Sequence, residues 1–118
     1  MQWMFLIGNN DFGIETLKRV AYPEEAKIYD VESVSGRCCV ELGEEHLFYD
    51  LIEDMNDFEE DILRVPFDNP TIIMLTYSSF DIVKEVILHS DFPRDIYIDN
   101  DMGVIVPIDE FISRGFPM

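Results

Sequence analysis

Basic residues are scarce in this chain: eight Lys and Arg stand against 25 Asp and Glu in 118 residues, a formal net charge of −17 at pH 7. Such a balance repels nucleic-acid phosphates and anionic membrane surfaces alike, so neither is expected as a direct partner. Long apolar runs are also missing. No stretch approaches the ~20 residues that a membrane span needs, and residues 1–7 lack the basic flank and small-residue cleavage site of a secretory leader. The expected location is the cytoplasm. Cysteine is limited to Cys38 and Cys39. As neighbours on a strand they point to opposite faces, a bond between them would be strained, and free thiols of a reducing compartment are expected. Histidine is limited to His46 and His89, far apart and outside any zinc-type spacing, so no metal and no cofactor is expected.

What the chain does carry is buriable surface. Apolar residues make up 47% and aromatics 13%, including nine Phe and five Tyr, enough to offset the entropy of ordering. No repeat, low-complexity tract or linker interrupts it, so residues 1–118 read as one acidic domain. Residues 3–7 read as a strand that ends in the turn Gly8, Asn9, Asn10, Asp11. Behind Asn10 or Asp11 as N-cap, Ile14, Leu17, Val20 and Ala21 recur at helical spacing up to Pro23. Residues 27–33 read as a strand with Tyr29 and Val31 on one face, and residues 37–42 and 46–52 as a hairpin broken at Gly43, Glu44 and Glu45.

Further along, Phe58, Ile62 and Val65 share one face of a helix expected over residues 57–64. The unbroken apolar run 71–77 is the expected central strand, covered on both faces. Ser78 or Ser79 caps a helix in which Phe80, Ile82, Val83, Val86 and Ile87 form the buried arc, while Lys84 and Glu85 face water. Residues 95–99 and 104–106 form an expected hairpin, and a short helix at about 109–114 ends at Gly115. The order predicts an α+β domain: one mixed, mainly antiparallel sheet with helices packed mostly on one face.

Motifs with catalytic chemistry are incomplete. The stretch Gly8 to Gly13 sits where a phosphate-cradling loop would, but Ile14 and Glu15 occupy the places that need Lys and Ser or Thr. Asp99, Asp101 and Glu110 match three places of a helix-loop-helix calcium loop. Gly103 and Val104 then replace a ligand and the turn glycine, so a hairpin turn is expected instead. Nothing marks a nucleophile with its base.

Charge is distributed unevenly. Residues 41–61 carry ten carboxylates, one His and no Lys or Arg. Partner binding is therefore expected from Glu41, Glu44, Glu45, Asp50, Glu53, Asp54, Asp57, Glu59, Glu60 and Asp61, with Phe48 as an aromatic anchor beside Asp50 on one strand face. The expected function is non-catalytic: a small acidic immunity protein or antitoxin that inhibits a basic toxin or nuclease by protein–protein contact. A structural or regulatory adaptor docking on a basic protein surface is the alternative, and a small-ligand or divalent-cation-dependent enzyme the third reading.

Overall fold

A computed structural model describes all 118 residues, Met1–Met118. Its strands are β1 (Gln2–Gly8), β2 (Lys27–Asp30), β3 (Arg37–Leu42), β4 (Glu45–Leu51), β5 (Thr71–Tyr77), β6 (Tyr97–Asp99) and β7 (Ile105–Pro107). They form one sheet of order β2-β3-β4-β5-β1-β6-β7, antiparallel in every pairing. The apolar run β5 is the middle strand. Both of its faces are covered: Ile73, Leu75 and Tyr77 enter one cluster of side chains, and Ile72 and Met74 enter another on the opposite side. The N-terminal strand β1 inserts between β5 and β6, a neighbourhood that no local signal announces.

Helices α1 (Ile14–Lys18), α3 (Phe80–Leu88) and α4 (Ile108–Ser113) lie over one face. There Leu17, Val83, Val86, Ile87, Ile108 and Phe111 join Met4, Leu6, Leu47 and Ile98 in the main core of 22 buried residues. The fourth helix, α2 (Glu59–Ile62), lies with Phe58 and Val65 over the other face. It covers only a small core of Phe5, Ile7, Ile72 and Ile105. The α+β class with helices mainly on one face is thus observed. Beyond α2 the second face is open, and Trp3, Tyr29 and Phe48 belong to neither core.

Several boundaries differ from the sequence reading for local reasons. Gly13, not Asn10 or Asp11, is the N-cap of α1, and the Thr16 hydroxyl accepts the Gly13 amide at 3.2 Å. The helix stops at Lys18, where the Tyr22 hydroxyl donates to the orphan Leu17 carbonyl at 2.6 Å. Strand β2 ends at Asp30, short of Val31, because the chain turns back with Val34 N–H donating to Val31 C=O. The β3–β4 hairpin is a two-residue turn, Gly43 and Glu44, with Glu45 already paired to Leu42. Gly43 has φ +61° at the first central position, as a type II′ turn requires. The helix expected over 57–64 is a 3-10 turn, Asn56–Phe58, running into the single turn of α2 without a side-chain cap. Like charges at Asp57, Glu60 and Asp61 weaken a longer helix, while Phe58 and Ile62 hold the short one by packing. Lys84 is half-buried, with its ammonium over the rings of Phe80 and Phe116 at 5.7 and 5.6 Å.

Candidate functional site

Strand β4 divides the acidic segment in two. Glu41, Glu44 and Glu45 sit at the β3–β4 hairpin, whereas Glu53, Asp54, Asp57, Glu59, Glu60 and Asp61 follow the other end of β4, roughly 20 Å away along the strand. The hairpin group is partly satisfied by the chain. Glu41 accepts the Tyr29 hydroxyl at 3.0 Å, and Glu45 accepts the Ser78 hydroxyl, which itself takes the His46 amide. Tyr29 is raised above the ordinary phenol range by hydrogen bonding to Cys39 and then to Glu41.

Asp50 is already engaged within the chain. It pairs across the strands with Arg37, Nε to Oδ1 at 2.6 Å and the second fork nitrogen to Oδ2 at 3.2 Å. The Arg37 guanidinium then lies 5.3 Å from the centroid of the Phe48 ring, and His46 stacks on the same ring at 5.8 Å with a 3° interplanar angle. Phe48 is therefore half-buried among its own neighbours on the open sheet face. Part of the ring stays open to solvent. The sequence hint for this clamp was the Arg37/Asp50 pair, legible only once the hairpin register is known.

The second group meets residues from the far end of the chain. Asp61 on α2 comes close enough to Asp101 and Asp99 for their charges to act on one another, with Arg64 between them in effect. Burial raises the Asp61 carboxyl above the ordinary range, Asp101 and Glu60 add to this, and Arg64 opposes it. Asp99, only 3% exposed, is raised chiefly by burial and further by Asp61 and Asp101. The Asp101 amide, donated to Asp99 Oδ1 at 2.7 Å, opposes that rise. Asp101 in turn accepts the indole N–H of Trp3 at 3.0 Å. Glu44, Glu53, Asp57, Glu59, Glu60 and Asp61 make no side-chain hydrogen bond or ion pair.

Trp3 was missed by sequence reasoning, which read it only as the first residue of an apolar strand. It is 43% exposed on the open face, in the cross-strand row Tyr29, Cys39, Phe48, Thr76, Trp3.

The remaining motifs have structural explanations. A Cβ at Gly8 would sit 2.6 Å from that of Phe12, so the glycine loop closes on its own aromatic plug rather than around a phosphate. Glu110 pairs with Arg114 on α4, away from Asp99 and Asp101, and no three His, Cys, Asp or Glu side chains converge as a ligand set. Both cysteines are free and buried, Cys38 in the main core and Cys39 on the opposite face. No helix is long and apolar enough to cross a membrane. No protein-family model, curated protein or solved structure matches the chain.

Proposed function

We propose that the chain is a non-catalytic binding protein for a basic protein surface, acting as an immunity protein or antitoxin that covers a cationic toxin or nuclease. One observation carries this reading: six of the chain's eight cations, all but the exposed Arg19 and Lys27, are engaged by the chain itself, while many of its carboxylates are left unmatched. Lys18 pairs with Glu15 and Asp30, Arg37 with Asp50 and Arg114 with Glu110. Arg64 donates to the Gly103 carbonyl, Arg94 to the carbonyls of Leu88 and His89 at the end of α3, and Lys84 covers two rings. Against these, the exposed carboxylates of Glu53, Asp57, Glu59 and Glu60 face water with no partner of their own. A field of one sign steers a partner of the other, raising the association rate before any contact is made.

The test is affinity capture of the basic partner from the native cell, followed by association kinetics across a salt series. Reversing Glu59, Glu60 and Asp61 to Lys takes the net charge from −17 to −11 and leaves Phe58, Ile62 and Val65 in place. The association rate is expected to fall ~10-fold or more, with a smaller change in dissociation. Equal rates for both proteins at every salt concentration would overturn the reading. A captured partner whose activity continues undiminished in the complex would overturn inhibition.

A further inference from the structure

A cavity of about 230 Å³ outside the cores is bounded by Met1, Gln2, Trp3, Asn100, Asp101, Met102 and Met118. It combines an exposed indole, a carboxylate and apolar methionine side chains, and the fold holds these parts in place. Asn100 is buried, and its Oδ1 accepts the amides of Met102 at 2.8 Å and Val104 at 3.1 Å. Its Nδ2 donates to the Pro117 carbonyl at 2.9 Å, tying the turn to the C-terminal segment. Asp99 takes the Asp101 amide, and Asp101 itself adopts a left-handed backbone, φ 60°, which Asp tolerates better than most residues. The turn between β6 and β7 is thereby pinned by two buried side chains and presents Asp101, together with Met102 at 77% exposure, to solvent.

We propose that this cavity is a docking pocket for a single arginine side chain of the basic partner. The indole is the ring that attracts a cation best, and its orientation is already set by the bond to Asp101 Oδ2. Asp101 Oδ1 accepts no hydrogen bond from the protein, and no cation of the chain, the Met1 ammonium included, lies within ion-pair distance of Asp101. A planar guanidinium can stack on the ring while it donates to that oxygen, and the methionines cover its aliphatic stem. Asp61 and Glu60 extend the negative potential on the same side. The pocket rests on the reading of a basic partner and adds an anchor to it, since α2 supplies steering charge but no exposed ring.

Trp3 is the only tryptophan, so its indole N–H resonance and its fluorescence report on this pocket alone. The probe is a capped Gly-Arg-Gly peptide, with capped Gly-norleucine-Gly as the neutral control of similar length. The arginine peptide is expected to shift the Trp3 indole and Met102 amide resonances saturably, with a dissociation constant of roughly millimolar order that weakens with salt. Asp101→Asn, which suits a left-handed backbone and keeps an acceptor for the indole, should weaken it ~10-fold. Glu25→Gln, an exposed site elsewhere with the same charge change, should leave it unaltered. Equal shifts from the norleucine peptide, no saturable shift, or an Asp101→Asn variant that binds like wild type would each overturn the pocket. The two proposals fail separately. Peptide binding at Trp3 is read without the partner, and partner association is read through α2 without the pocket.

Discussion

Asp99 shows how one side chain can serve the fold and cost it stability together. Its Oδ1 holds the Asp101 amide, but burial and the nearby Asp61 and Asp101 charges push its carboxyl above the ordinary range. A raised folded-state value means that the native state binds the proton more tightly than the unfolded chain does. Ionisation then withdraws stability as pH rises from the ordinary carboxylate value through the raised one, and Asp61 contributes with the same sign. Lowering the pH from about 7 to about 4.5 should therefore raise the thermal midpoint, and Asp99→Asn, which keeps the oxygen acceptor, should flatten that rise. A midpoint that drops over this range in wild type, or an unchanged slope in the variant, would show that these carboxyls do not control it. At this scale the sequence was least legible. That Asp50 is neutralised, that Phe48 is clamped and that Trp3 is exposed all follow from cross-strand registers, which no local pattern encodes.

Among the elements, β5 is the one whose place was plainest from sequence, because a run apolar at successive positions must be covered on both sides. Ile73 is fully buried in the main core against the helices, and its neighbour Ile72 is fully buried beneath α2. Ile73→Asp should unfold the domain, since an unpaired charge buried there costs several kcal/mol, a large part of a domain's stability. Recovery of a soluble variant with wild-type circular dichroism and a cooperative melt would contradict that placement. The cap of α3 was legible to within one residue, Ser78 or Ser79, and the structure selects Ser79; the buried arc of α3 and the apolar stripe of Phe58, Ile62 and Val65 were legible too. The length of α2 was not: its stripe fits a long helix, but its uncapped start and crowded carboxylates permit a single turn.

Across the whole molecule, a charge of −17 must act against compaction, because like charges repel more strongly in the folded state than in an expanded chain. Added salt should raise the thermal midpoint between about 0.02 M and about 0.3 M, with a smaller gain for the Glu59, Glu60, Asp61→Lys variant at −11. An equal response from both proteins would mean that the α2 carboxylates do not carry the strain. The sequence by itself determined the α+β class, the central strand and the presence of an acidic segment, since each depends on periodicity or composition over neighbouring residues. It could not tell which carboxylates belong together. Only the tertiary structure brought Asp61, from the middle of the chain, beside Asp99 and Asp101, and placed Trp3, from its start, against Asp101. The physical reason is the insertion of β1 between β5 and β6: strand order is chosen by the joint burial of faces from distant segments, and it sets which side chains share the open surface.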